Sequence, residues 1–257
     1  NVCSTAVIMA LVKRRCVRDV RYVTNVYWCR GTMAEKNQDS VVLQQVLTRR
    51  GRVLLAAVCD GMGGVSRGGE ASGYAAVQLR KWFYTELFAM MQKNKRYWVI
   101  RRSMDRLIYH LQGQLKRYAA QEEISMGTTV TALVVWERTW LLWHLGDSRA
   151  YRLGRRGMEQ LTEDHAQDAG KLTKCLGSFG YFVPQHRMGV LKPGEGILLC
   201  TDGFRRCVTV EELRAVMNPG ELAGEEQIGR RLKEIGETCM KRGETDNLSA
   251  VYVKTER

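Results

Sequence analysis

Proline is scarce, with three residues in the chain, and no repeat, low-complexity tract or Pro-rich stretch marks a linker between separately folding units. The eight cysteines, Cys3, Cys16, Cys29, Cys59, Cys175, Cys200, Cys207 and Cys239, include no CxxC pair and no histidine at metal-ligand spacing. That excludes a zinc finger and a disulfide framework and fits reduced thiols in a cytoplasmic protein. No apolar run approaches the roughly 20 residues that a bilayer span needs. The nearest, residues 4–12, falls well short, and its basic cluster Lys13-Arg14-Arg15 follows the apolar stretch, the wrong order for a signal peptide. Acidic residues are outnumbered, 27 against 40 basic, which leaves a formal charge of +13 and a field that attracts anionic partners. The basic pairs Arg49-Arg50, Arg101-Arg102, Arg155-Arg156 and Arg230-Arg231 are dispersed, and no RNA-binding or helix-turn-helix signature accompanies them. A solvated surface fits better than a nucleic-acid groove.

With 257 residues and 45% hydrophobic content, the chain can fill one large core. We expect a single domain over residues 20–257, preceded by an N-terminal extension at 1–19. Residues 20–30 and 40–48 are rich in β-branched and aromatic types and straddle a Gly-containing turn, as paired strands do. The run VLLAAVC reads as a buried strand that stops at Asp60-Gly61. Apolar residues recur at helical spacing over about 69–91 (Tyr74, Val77, Trp82, Leu87, Met91) and 97–123 (Ile100, Met104, Leu107, Leu111, Leu115), predicting an antiparallel helix pair. TTVTALVVW, TWLLWHLG and RAYRLG read as a three-stranded meander, followed by a loop from about Gly154 to Pro193, whose glycines at 170, 177 and 180 suggest mobility. GILLC and LSAVYVKT are further buried strands, and two helices, EELRAVM and EEQIGRRLKEIGETCMKR, lie between them. Strands and paired helices are segregated, which predicts an α+β fold of antiparallel sheets covered by helices.

Aspartates punctuate this pattern in the order NQD (37–39), DGMGG (60–64), GDSR (146–149), TDG (201–203) and TDN (245–247). Asp60, Asp202 and Asp246 end, or closely flank, strand runs, where side chains far apart in sequence converge. Each Asp-Gly alone is a turn signal; together they supply the hard oxygen donors that Mg²⁺ or Mn²⁺ prefers.

From about residue 20 to 254 these motifs, with GTT at 127–129 and TDGF, resemble the metal-dependent (PPM, type 2C) serine/threonine protein phosphatases, in particular their bacterial branch. The resemblance implies a sandwich of two antiparallel β-sheets flanked by pairs of α-helices. It also implies that Asp60 bridges two Mn²⁺ or Mg²⁺ ions, that the Gly61 carbonyl serves one, and that Asp202 and Asp246 complete the other. Asp39 would act through a metal-bound water, and Asp147 with Asp202 would hold a third, weaker ion. A hydroxide bridging the metals would attack phosphoserine or phosphothreonine in protein substrates, opposing a cognate serine/threonine kinase. A monomer is expected.

Several positions depart from the family pattern. Ala34 stands where relatives carry a phosphate-binding arginine, and Lys36, on the same face if that segment is a regular strand, is the candidate substitute. The flap between the TEDH segment and Leu176-Gly177 is nearly absent. Met62 occupies the place of a leaving-group histidine in animal relatives, and His165 reads as structural. Arg206 stands where some relatives have another acid, and it would either weaken third-ion binding or reach the substrate phosphate. Ala34 and the missing flap leave open a catalytically weakened relative that binds phosphoproteins, against which stands the retention of three mutually repelling acids.

Overall fold

The run at 53–59 is apolar at every position, so it can be stable only if both faces of the strand are covered. In the computed structural model, which describes residues 20–48, 51–63, 67–155, 157–167, 172–177, 180 and 182–256, both faces are. The expected N-terminal extension at 1–19 lies outside the described residues.

The chain opens with β1 (Tyr22–Cys29), β2 (Ser40–Thr48) and β3 (Gly51–Cys59), followed by the short β4 (Gly61–Met62). α1 (Arg67–Trp82) runs through a π-helical turn at Phe83–Leu87 into α2 (Phe88–Gln92), and α3 (Tyr97–Gln121) returns beside it. Then come β5 (Gly127–Thr128), which pairs with β4, and β6 (Val130–Trp136), β7 (Thr139–Leu145), β8 (Arg149–Gly154), β9 (Gly157–Gln160), β10 (Gln185–Val190) and β11 (Gly196–Cys200). α4 (Asp202–Arg205), α5 (Val210–Val216), α6 (Glu225–Lys241) and β12 (Leu248–Thr255) complete it. One five-stranded sheet orders β1-β12-β11-β8-β9 and the other β10-β7-β6-β3-β2, antiparallel throughout.

Strand alternation sorts the apolar residues into layers. From β3, Leu54, Ala56 and Val58 join Ile197, Leu199, Val251 and Val253 of the opposite sheet in the core between the sheets. Val53, Leu55, Ala57 and Cys59 face the other way, against Ala75, Leu79, Ile100, Met104 and Leu111 of the α1/α3 pair. The second sheet is covered by α6, whose Ile228, Leu232, Ile235 and Cys239 lie on one helical stripe. Trp82 Nε1 donates to Ser103 Oγ at 2.7 Å, so the buried indole is satisfied across the interface of the helix pair.

Three expectations about pairing need correction. β1 and β2 do not pair: β1 lies on β12 and β2 on β3, in opposite sheets. The meander stops at β7, because Gly146 (φ +115) donates its N–H to His165 Nδ1 at 3.2 Å and Ser148 Oγ bonds Thr129 Oγ1 at 2.9 Å, turning the chain across to β11. The stretch read as a loop to Pro193 contains β9 and β10. β10 is an edge strand with Met188 and Val190 exposed, so its alternation carries no clear buried face. Gly177, read as a sign of mobility, is a packing glycine: a Cβ there would sit 2.7 Å from the Met126 carbonyl oxygen, and its N–H donates to Gln112 Oε1 at 2.7 Å.

Beneath the 146–148 turn two imidazoles stack, His144 and His165, with centroids 4.9 Å apart. His144 is buried, and its Nε2 faces the Glu163 carbonyl at 3.0 Å, an acceptor only, so that nitrogen carries the proton and Nδ1 accepts from the Thr131 hydroxyl at 2.9 Å. Burial, and then the neighbouring His165, push the pKa of His144 down to about 3. A histidine depressed in the folded state binds fewer protons than its unfolded counterpart of pKa about 6.5, so its contribution to stability falls as pH drops from that value towards 3. The expected slope is at most about 1.4 kcal/mol per pH unit. Unfolding midpoints measured from pH 8 to 5 should fall more steeply for wild type than for His144→Gln; parallel curves would show that His144 does not carry this dependence.

Candidate active site

The ends of four strands, two from each sheet, place the acids. Asp39 immediately precedes β2 and Asp60 follows β3 in one sheet; Asp202 follows β11 and Asp246 lies just before β12 in the other. Asp147 sits in the turn where the chain crosses between sheets. All therefore gather at one end of the sandwich. Backbone bonds hold the floor of this cleft. The Asp60 N–H donates to Thr129 Oγ1 at 2.9 Å, and its carbonyl accepts from Thr129 N at 2.8 Å and Thr128 Oγ1 at 2.9 Å. This is the work of the GTT segment. Gly61 is wedged where a Cβ would come 2.2 Å from the Gly68 carbonyl oxygen, so no larger residue fits at the start of α1. On the opposite wall Gly31 (φ +76) would bring a Cβ within 2.0 Å of the Asp246 carbonyl oxygen. That close approach explains the glycine.

Like charges crowd here. Asp39 is buried, with Oδ2 accepting from Thr201 Oγ1 at 3.0 Å, and burial, with Asp246 and Asp202 nearby, pushes its carboxyl up to about 7. Asp60 keeps some access to solvent, yet burial first, then Asp39, Asp202, Asp147 and Asp246, hold its carboxyl well above the usual range. Burial and Asp202 raise Asp147 to about 6, and burial raises Asp246 as well. Such a crowded group of hard oxygen donors fits divalent cations: added positive charge would relieve the repulsion. Among the described residues, no three acidic, histidine or cysteine side chains already surround a common point. At the rim, Asp202 pairs with Arg206, whose Nη2 also lies 3.5 Å from Asp246 Oδ2.

Other side chains brace the acids, and sequence reasoning left their parts unassigned. Arg149 forks onto Asp164 (Nε to Oδ1 2.8 Å, Nη2 to Oδ2 2.7 Å), and Arg205 Nη2 reaches both Asp164 Oδ2 at 3.3 Å and the Asp147 carbonyl at 3.0 Å. Asn247 joins the two walls, accepting from Gln38 N at 2.7 Å and donating to the Arg30 carbonyl at 2.7 Å. Glu244, buried, accepts from the N–H groups of Thr245 (2.9 Å) and Asp246 (3.1 Å). Arg149 and Asp164 stand in the GDSR and TEDH segments, so their presence was visible. Their pairing was not.

Lys36 is exposed and lies in a bend, not in a strand, so the alternation that put it on the face of Ala34 does not apply. Its backbone carbonyl accepts from Asn247 Nδ2 at 3.4 Å. Met62 forms the β4–β5 ladder with Gly127. His165 is engaged with Gly146 and His144 and does not serve the acids as a base. Of the shortened flap, residues 168–171 lie outside the described residues; Ala166 bridges to Leu172 across them.

The family model described as protein phosphatase 2C matches residues 33–250. The serine/threonine phosphatase stp of Listeria innocua is 26% identical over 209 residues, covering 73% of this chain and 80% of its own. In fold, the chain is similar to the serine/threonine phosphatase of S. agalactiae (TM-score 0.75, 20% identity, 92% of this chain and 100% of that one). It is also similar to the catalytic domain of PstP, solved in complex with two manganese ions (TM-score 0.71, 24% identity, 93% and 99%). A two-sheet sandwich with the aspartates at one end, and a family match over most of its length, place the chain in the protein phosphatase 2C family of metal-dependent serine/threonine phosphatases.

Proposed function

We propose that the chain hydrolyses phosphoserine and phosphothreonine in proteins at the cleft of Asp39, Asp60, Asp147, Asp202 and Asp246, with Mn²⁺ or Mg²⁺ as its ions. The observation that carries this reading is the convergence of carboxylates from both sheets at one end of the sandwich, where burial and neighbouring acids raise Asp39, Asp60 and Asp147. Asp60 and the Gly61 carbonyl would hold one ion, and Asp60, Asp202 and Asp246 the other. Asp39 would act through ordered water, and Asp147 with Asp202 would take a weaker third ion. When bound, a pair of dications acidifies water and neutralises the phosphoryl oxygens.

The protein's own residues position and steer. The Thr128 and Thr129 bonds fix the Asp60 backbone, so its carboxylate is oriented by the sheet and not by a mobile loop. A net charge of +13 raises encounter rates with phosphoproteins, and exposed Lys36 would offer a point charge to the substrate phosphate. Neither His144 nor His165 is available to protonate the departing alkoxide, because both bond the 144–165 framework. We propose that solvent delivers that proton. We further propose a cytoplasmic monomer that reverses a serine/threonine kinase. Cys29, Cys59, Cys175, Cys200, Cys207 and Cys239 are free thiols, and no helix among the described residues is long and apolar enough to cross a membrane.

Hydrolysis of a phosphothreonine peptide should require Mn²⁺ or Mg²⁺, stop with a chelator, and drop roughly 10²-fold or more in Asp202→Ala, the scale of losing a charge-stabilising group. Turnover indifferent to chelator and to that substitution would sink the reading. Metal binding without turnover would select the weakened, phosphoprotein-binding alternative. For Lys36→Ala the expected result is a KM raised about threefold to tenfold with kcat little changed. An unaltered KM would remove Lys36 from the site.

A further inference from the structure

Arg206 stands where the acidic cleft meets solvent, and its partners are the residues assigned above to an ion. It follows Asp202 by one helical turn, at the C-cap of α4. Its Nη2 pairs with Asp202 Oδ2 and lies 3.5 Å from Asp246 Oδ2, while Nη1 lies 3.3 Å from Glu244 Oε1. Glu244 is 4% exposed and is itself fixed by the backbone N–H groups of Thr245 and Asp246. One arm of the guanidinium is thus anchored on a rigid buried acid, and the other spans two carboxylates at the rim. With its side chain 50% exposed, the outer arm can swing into water at little desolvation cost.

A guanidinium and a divalent ion compete for the same carboxylates. Arg206 engages Asp202 Oδ2, which a metal would also seek, and its charge repels an arriving cation.

We propose that Arg206 is a resident cation of this cleft. It neutralises Asp202 and Asp246 in the ion-free protein, and a divalent ion binds there by displacing its outer arm. Arg206 therefore weakens ion affinity while stabilising the ion-free fold. This inference rests on the assignment of Asp202 and Asp246 as ion ligands.

The test is calorimetric titration of the full chain with MnCl₂ alone, comparing wild type with Arg206→Met and Arg206→Ala, together with thermal unfolding in chelator and in saturating Mn²⁺. Both variants should bind Mn²⁺ about tenfold more tightly. Each should also unfold at lower temperature than wild type in chelator and recover in Mn²⁺. Binding to wild type with equal or weaker binding to both variants overturns the role of Arg206 and leaves the phosphatase reading standing. No Mn²⁺ binding to any of the three proteins overturns both. Should neither variant fold, the guanidinium ¹⁵N–¹H resonances of wild type decide. Mg²⁺ should shift the Arg206 signals and speed their exchange with water, and signals unmoved at saturating Mg²⁺ overturn the proposal.

Discussion

Carboxylates repel one another, and everything at the active end of this molecule is arranged around holding them together. Burial alone would make Asp39 and Asp60 reluctant to ionise; the acids around them, Asp202 and Asp246 in both cases, make it harder still. Such a cluster persists only if the surrounding structure is rigid enough to deny it an escape. The sandwich supplies that rigidity. Strands packed on both faces cannot slide by a residue without turning their apolar side chains the wrong way, so the positions of their ends are set by the whole core.

The braces around the acids distribute charge as well as hold shape. Arg149 and Arg205 share Asp164, so the turn carrying Asp147 is tied to α4 through a charge-assisted network. Glu244, Asn247 and Gly31 do the same for the wall carrying Asp246. Arg206 is the only one of these arginines that pairs directly with the proposed ligands Asp202 and Asp246, and it is half exposed. A positive charge delivered by the chain itself is a simple way to keep an ion-free acidic cleft from driving the sheets apart. It also opposes any ion that comes to replace it.

The surface follows a different logic from the core. Its excess of basic residues is spread over helices and loops and attracts phosphorylated or otherwise anionic partners without choosing among them. Choice must come from the cleft, where oxygen donors of fixed position meet a substrate phosphate.

Much of this was legible in the order of residues. Largely apolar runs marked strands buried on both sides, helical spacing marked α1 and α3, and five aspartate motifs in one order marked the site. These signals are local, because periodicity and turn chemistry are properties of adjacent residues. Which strands lie side by side was not local: β8 leaves the meander because Gly146 and Ser148 find partners 19 residues away on either side. The edge strand β10 was hidden because an edge has no second face to bury. Lys36 accepts at its carbonyl from the side chain of Asn247, more than 200 residues along the chain, and Arg206 meets Asp202 one helical turn before it but Glu244 and Asp246 only through folding. The sequence by itself determined the donor chemistry and the strand ends that carry it. The tertiary structure decided which charges meet, since electrostatic contact depends on distance in space and not on separation along the chain.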